Sequence, residues 1–133
     1  LINNYVLDSN ENAVPRAMDF SLGNGIIYGY NQVEFEADMV GGADTLYSLA
    51  NCIIKTNNDI SNTDIYNQVL KNEDPLFLDP RENDFRIDTL SPAIGFGDPA
   101  ISATVPLDIL GNSRITRSDI GAYQFMPGQV DEN

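Results

Sequence analysis

Short apolar stretches that alternate with Asn and Gly recur along the first half of the chain. The pattern Leu-x-Asn-x-(Tyr/Ile)-(Val/Ile) begins at Leu1, Leu22 and Leu49, so its copies are 21 and 27 residues apart. The apolar, partly β-branched residues predict a strand rather than a helix in each copy. Repeats of about 20–30 residues are typical of solenoids, in which each unit stacks on the next.

A strand of this length cannot bury its apolar face alone, whereas stacked strands bury it and satisfy their backbone hydrogen bonds. The pattern therefore predicts an all-β solenoid with about three coils over residues 1–58. A leucine-rich repeat is the competing solenoid, but its repeated Leu positions are absent from this sequence.

Asn occupies two equivalent positions in every copy, because a second Asn follows the first by seven residues. An Asn at the leading position suits a bend with left-handed backbone angles. Stacked Asn side chains can also form hydrogen bonds with one another along a solenoid. We therefore expect a structural ladder made of Asn3, Asn24 and Asn51 in one row, and Asn10, Asn31 and Asn58 in the other.

The repeat ends at Asn58, and residues 59–73 read as a connecting segment. Ser61 or Asn62 could cap a short helix running from about Thr63 to Lys71. The apolar stripe of this predicted helix would consist of Ile65, Tyr66, Val69 and Leu70.

Five short motifs follow one another in the second half of the chain. They are Asp74-Pro75-Leu76-Phe77-Leu78-Asp79-Pro80, Asn83-Asp84-Phe85-Arg86-Ile87, Leu90-Ser91-Pro92-Ala93-Ile94-Gly95, Asp108-Ile109-Leu110-Gly111-Asn112-Ser113-Arg114 and Asp119-Ile120-Gly121-Ala122-Tyr123-Gln124-Phe125. This order resembles the C-terminal end of bacterial right-handed parallel β-helix proteins of the pectate-lyase-like superfamily. The sequence departs from that family at Gly95, where an acidic residue is usual, and at Gln124, where Glu is frequent.

The resemblance implies a right-handed parallel β-helix from a secreted, periplasmic or cell-surface protein. An open solenoid end exposes core and strand edges, so we expect residues 74–125 to form a C-terminal cap. Ser91 would cap a turn that begins at Pro92, and the polar tail would span residues 126–133. The predicted structural cap residues are Ser91, Pro92, Asp108, Arg114, Asp119, Gly121 and Tyr123.

The net charge of the chain limits the classes of ligand that it can be expected to bind. Twenty acidic and seven basic residues give a net charge of −13, which argues against binding to nucleic acid. An anionic polysaccharide would be repelled unless a divalent cation bridged the charges. We expect no membrane insertion, because no apolar run reaches the roughly 20 residues of a spanning helix.

The chain begins without Met or a signal peptide, so we expect it to be part of a longer parent protein. Its first coil would then lack a neighbour, and self-association through that coil is predicted.

Few residues suggest chemistry. The chain has no His, and its single Cys52 lies near the apolar residues Leu49 and Ile53, which suggests a buried and inert thiol. We expect no cofactor and no metal site, because no Asp-x-Asp-x-Asp-Gly calcium loop is present.

Three functions of the chain therefore remain open. The first is a non-catalytic cap of a parent that binds or degrades polysaccharide. The second is a surface adhesin or glycan-binding module in which Tyr28 and Tyr30 stack on sugars. The third is a calcium-dependent polysaccharide lyase that uses arginines and aspartates of the last coils.

Overall fold

A computed structural model describes residues 1–128 and shows an all-β chain with one short α-helix in that range. This confirms the all-β part of the predicted fold class, whereas the strands form one four-stranded and three two-stranded sheets and not a closed solenoid in that range. Residues 129–133 of the predicted tail lie outside the described residues. The strands are β1 (Ile2–Asn3), β2 (Tyr5–Leu7), β3 (Ala13–Pro15), β4 (Met18–Gly23), β5 (Ile26–Ile27), β6 (Ala37–Asp38), β7 (Thr45–Ile54), β8 (Tyr66–Lys71), β9 (Phe77–Asp79) and β10 (Asp84–Ile87). The α-helix α1 spans Pro99–Thr104, and a 3-10 helix spans Pro80–Glu82.

A parallel sheet forms the centre of the molecule. Strands β4 and β5 both pair with β7, and this pairing sets Leu22 opposite Leu49 and Ile26 opposite Ile53. The second and third copies of the repeat therefore stack in the register that their spacing of 27 residues predicts. Strand β8 adds to the other side of β7, where Leu49 pairs with Tyr66.

The helix predicted over residues 63–71 is wrong, because Tyr66–Lys71 forms strand β8. Its apolar residues divide between two cores: Tyr66 and Val69 pack on one side of the sheet and Leu70 on the other. A helical stripe would have buried all of them on one face. Pairing with strand β7, whose residues Leu49 and Cys52–Ile54 are buried, thus overrides the local helical pattern.

The prediction of a coil in the first copy is also wrong. Ile2 pairs with Ala37, and strand β2 forms an antiparallel hairpin with β3 instead of stacking on β4. The carboxylate of Asp8 accepts hydrogen bonds from the backbone amides of Asn10 and Asn12, which turns the chain back on itself. The hairpin uses up much of the 21-residue interval, so too little chain remains for a full coil.

The two faces of the central sheet bury separate cores. Cys52 and Ile54 belong to a cluster with Leu49, whereas Ile53 belongs to a second cluster with Ala93 and Ile120. Successive residues of a strand point to opposite faces. The C-terminal segment, which we expected to close the end of the stack, therefore packs across a face of the sheet.

No helix within residues 1–128 has the length and apolar character that crossing a membrane requires.

Candidate functional site

The leading asparagines of the second and third copies occupy stacked left-handed bends. Asn24 and Asn51 have φ angles of 51° and 53°, and Gln68 on strand β8 continues the stack at 55°. The left-handed bend predicted for Asn24 and Asn51 is thus confirmed. Asn3 does not have this conformation, because it lies in strand β1 opposite Asp38.

The predicted hydrogen bonds between stacked Asn side chains are not formed. The Asn24 side chain donates to the Asp98 carbonyl at 3.0 Å and accepts from the Asp98 amide at 2.7 Å. Asn51 donates to the Phe96 carbonyl at 2.8 Å. The C-terminal segment lies beside the bends and offers backbone partners, so these side chains fasten that segment to the sheet.

The second row of asparagines stabilises loops and also forms no ladder. Asn58 donates to the Ala37 carbonyl and accepts from the Thr56 hydroxyl at 2.9 Å. Asn31 donates its backbone amide to Glu34 at 2.8 Å. Asn10 belongs to the Asp8 turn described above. These residues share a position in the sequence repeat but not a common environment in the fold.

Asp119 organises the C-terminal segment from a fully buried position. Its carboxylate accepts hydrogen bonds from the amides of Gly95 and Phe125, at 2.8 and 2.7 Å, and from Arg117 Nε at 2.7 Å. The side chain of Gln124 bridges the Asp119 amide and the Arg117 carbonyl. Each of these contacts fixes the backbone, and none presents the carboxylate to solvent.

Asp108 holds a second turn of this segment. Burial alone would raise the pKa of Asp108, but hydrogen bonds from the amides of Gln124 and Asn112 hold it below its ordinary value. Arg114 donates to the carbonyls of Asp119 and Gly121 at 2.9 and 2.8 Å. Arg117 forms an ion pair with Asp119 at 2.7 Å.

The other predicted cap residues also serve packing. The Ser91 hydroxyl accepts from the Ala93 amide at 3.1 Å and donates to the Pro75 carbonyl at 2.6 Å, which caps the turn containing Pro92. Gly121 has a φ of +94°, and a Cβ there would approach the Ile26 side chain to 2.7 Å. Tyr123 lines a small cavity of about 450 Å³ beside Gly121.

A larger open groove, of about 1150 Å³, contains both tyrosines predicted to bind sugars. Tyr28 and Tyr30 follow strand β5 and line one part of it. Strands β9 and β10, with the loops around them, supply another part. The remaining lining residues are Gly29, Asn31, Glu34, Lys55, Asp74, Leu76, Phe77, Leu78, Pro80, Asn83, Phe85, Asp88 and Leu90.

Aromatic surface in the groove comes from both halves of the chain. Phe77 and Phe85 pack edge to face with ring centres 5.3 Å apart, and Phe85 remains 40% exposed. Tyr30 is 75% exposed. The repeat and the alternation of apolar residues predicted strands near these positions, but they gave no signal that the two aromatic groups share one groove.

Lys55 immediately follows β7 and lies against Tyr28. Its Nζ atom donates to the Gly29 carbonyl at 2.9 Å and lies 4.9 Å from the centre of the Tyr28 ring. The ammonium group is therefore held in place by a carbonyl and an aromatic face.

Three carboxylates, those of Glu34, Asp74 and Asp88, line the same groove. Hydrogen bonds from Asn31 hold the pKa of Glu34 below its usual range, and the nearby charge of Lys55 acts in the same direction. Burial raises the pKa of Tyr28, and the charge of Asp74 adds to this effect. At neutral pH the groove thus presents a charged Glu34 beside a neutral Tyr28.

Two basic residues outside the groove are engaged with other partners. Arg86 contacts Asp84 at 2.6 Å, and Lys71 donates to the Asn58 carbonyl at 2.7 Å. Within residues 1–128, Lys55 is the only basic residue that lines the groove. No group of three or more Cys, Asp or Glu residues in that range is arranged to hold a metal ion.

Comparison with known proteins found no family model, no curated protein and no solved structure that matches the chain. A functional interpretation therefore depends on the geometry of the sheet, the C-terminal segment and the groove.

Proposed function

We propose that this chain is the C-terminal, non-catalytic part of a secreted or cell-surface parallel β-helix protein. In this proposal residues 74–125 stabilise the last coils of the solenoid. The supporting observation is the in-register stack of Leu22, Leu49 and Tyr66 in parallel strands. A left-handed bend follows in each strand at the same point, as expected of successive coils that turn one corner.

The attachment of the C-terminal segment also supports this proposal. Asn24 and Asn51 bind its backbone at Asp98 and Phe96, and Ile53 shares its core. A segment held at successive bends resists separation of the coils, because they cannot part without breaking these contacts.

Hydrogen exchange tests this stabilising role in the full chain. The double variant Asn24→Gly/Asn51→Gly removes the side-chain clamps and keeps residues that adopt the left-handed bend, and we expect faster amide exchange both in residues 93–125 and in strand β7. The matched control is Asn10→Gly/Asn57→Gly, which removes two exposed asparagines that form no hydrogen bond to the segment. Faster exchange in residues 93–125 with no change in β7 would contradict the proposal.

A depolymerisation screen tests the non-catalytic part of the proposal. The chain and its longer parent protein are incubated with plant and bacterial polysaccharides, with and without calcium. We expect cleavage only by the parent. Cleavage by the chain alone would overturn the proposal and favour the calcium-dependent lyase.

The groove favours a second function, that of a glycan-binding module. Sugar sites commonly combine exposed aromatic rings with a few polar groups, and Tyr28, Tyr30 and Phe85 lie with three carboxylates in this groove. Affinity gel electrophoresis against a broad set of polysaccharides tests this function. Retardation that Tyr30→Ala abolishes would support it, and unchanged migration with every polysaccharide would refute it.

A further inference from the structure

We propose that the groove selects neutral saccharides and rejects polymers of uronic acid. This inference depends on the glycan-binding function proposed above and specifies the class of ligand. It is carried by the charges, the open hydrogen-bond acceptors and the exposed apolar surface of the groove.

The balance of charge opposes an anionic ligand. Glu34, Asp74 and Asp88 contribute three negative charges against the single ammonium of Lys55 among the described lining residues. That ammonium already donates to the Gly29 carbonyl and lies against Tyr28. A uronate carboxylate bound in the groove would therefore be repelled by these like charges, an effect that salt screens over a Debye length of about 8 Å at physiological ionic strength.

The same carboxylates suit the hydroxyl groups of a neutral sugar. Asp74 Oδ1 accepts from the Leu76 amide and Asp88 Oδ1 from the Leu90 amide. Among the described residues, the second oxygen of each carboxylate accepts no hydrogen bond, so it is open to a ligand hydroxyl. An ionised carboxylate only accepts hydrogen bonds, which matches a donor hydroxyl and not a second carboxylate.

Apolar contact surface is available beside these acceptors. Tyr30 is 75% exposed and Leu90 is 80% exposed. The C–H faces of a pyranose ring can pack on such surface while its hydroxyls reach the carboxylates. The groove, at about 1150 Å³, exceeds the roughly 300–1000 Å³ of most small-molecule pockets, so we infer that it holds several units of an oligosaccharide.

Isothermal titration calorimetry on the full chain tests this selectivity. The probes are β-1,4-linked hexasaccharides of glucose, mannose and galactose, together with hexagalacturonate, at low and physiological salt. We expect at least one neutral hexasaccharide to bind with little dependence on salt. Hexagalacturonate should bind at least about tenfold more weakly at low salt, as two close like charges imply.

The outcomes separate the two proposals. Hexagalacturonate that binds as tightly as the best neutral probe would overturn the selectivity but leave glycan binding intact. Failure of all probes, together with the absence of any retarding polysaccharide in the electrophoresis, would overturn both.

Charge removal within the groove provides a second test. Asp74→Asn/Asp88→Asn keeps the side-chain oxygens that accept from Leu76 and Leu90 and removes two negative charges. We expect hexagalacturonate to gain about fivefold to tenfold in affinity, with a smaller change for the neutral probe.

The matched control for this double variant is Asp19→Asn/Glu36→Gln. It removes two exposed charges away from the groove and should leave the selectivity ratio unchanged. An equal shift in both double variants would attribute the selectivity to net charge and would overturn a selective groove.

The aromatic contact is tested separately by Tyr30→Ala. We expect it to weaken the best neutral probe by about tenfold, because it removes the aromatic face that packs against a sugar ring. Leu46→Ala is the control, because Leu46 is exposed and lies outside the groove. Equal affinity of wild type and Tyr30→Ala would show that this ring does not contact the sugar and would overturn the proposed mode of binding.

Discussion

Ile53 is the residue through which the central sheet and the C-terminal segment share a core. It is fully buried, pairs in register with Ile26 and Leu70, and belongs to one cluster with Ile120, which is also fully buried. Truncating Ile53 to Ala should destabilise both parts together, because neither side of the cluster is free to collapse into the cavity.

The size of the effect follows from this burial. Replacing a buried Ile with Ala costs about 2–5 kcal/mol, with the larger values where neighbours relax least. We expect about 4 kcal/mol for Ile53→Ala, a large part of the roughly 5–15 kcal/mol that stabilises a domain. The milder changes Ile53→Val and Ile120→Val, at about 1 kcal/mol each, permit a double-mutant cycle in folded protein.

Urea unfolding followed by circular dichroism measures these free energies. If the two side chains pack together, the cycle should show a coupling of at least about 0.5 kcal/mol. Leu46→Ala is the surface control, since Leu46 is 67% exposed, and it should change stability by at most about 0.5 kcal/mol. Additive Val substitutions, or two separate unfolding transitions in the wild type, would refute the shared core.

Three further predictions concern single side chains. The pKa of Asp108 is lowered in the fold, so its stabilising contribution should be complete above about pH 5 and decline as acid protonates it; Asp108→Asn should flatten the pH dependence of unfolding below about pH 4. Gln68 has a φ of 55°, which Asn tolerates better, so Gln68→Asn should stabilise the chain by about 0.5 kcal/mol in thermal unfolding. Cys52 is buried, and burial raises the pKa of its thiol; a thiol reagent should label it only through unfolding, and rapid labelling of native protein would contradict this burial.

The sequence predicted those parts of the fold that follow from the repeated pattern of apolar and Asn residues. The shared Leu-x-Asn motif located the strands at Leu22 and Leu49. It also gave their relative register, because residues at the same position of the motif stack on one another. It also located the left-handed bends, since Asn is one of the few residues that adopt this conformation readily.

The same pattern misled where a local turn or a pairing with another strand decides the structure. The first copy matches the motif, but its local turn at Asp8 diverts it into a hairpin. Strand β8 carries no copy of the motif, and Gln68 at its bend gives no sequence signal, so pairing with β7 was not foreseen.

Of the residues that line the groove, the sequence predicted only Tyr28 and Tyr30 as part of a binding site. Its other side is brought to them by the antiparallel pairing of β9 with β10 and by the packing of Phe77 near Ile53. The groove thus brings Phe77 near tyrosines that lie 49 and 47 positions earlier in the chain, and composition and periodicity carry no record of this long-range contact.

The stacked bends at Asn24, Asn51 and Gln68 also bear on how such a chain can vary. From the first bend to the second the chain takes 27 residues, and from the second to the third only 17, yet all three strands meet in register. The path between bends can therefore lengthen or shorten by ten residues without disturbing the sheet. Insertions placed in the exposed connection at residues 61–64 should be tolerated, whereas one added residue between Leu49 and Ile54 would shift every later side chain to the opposite face.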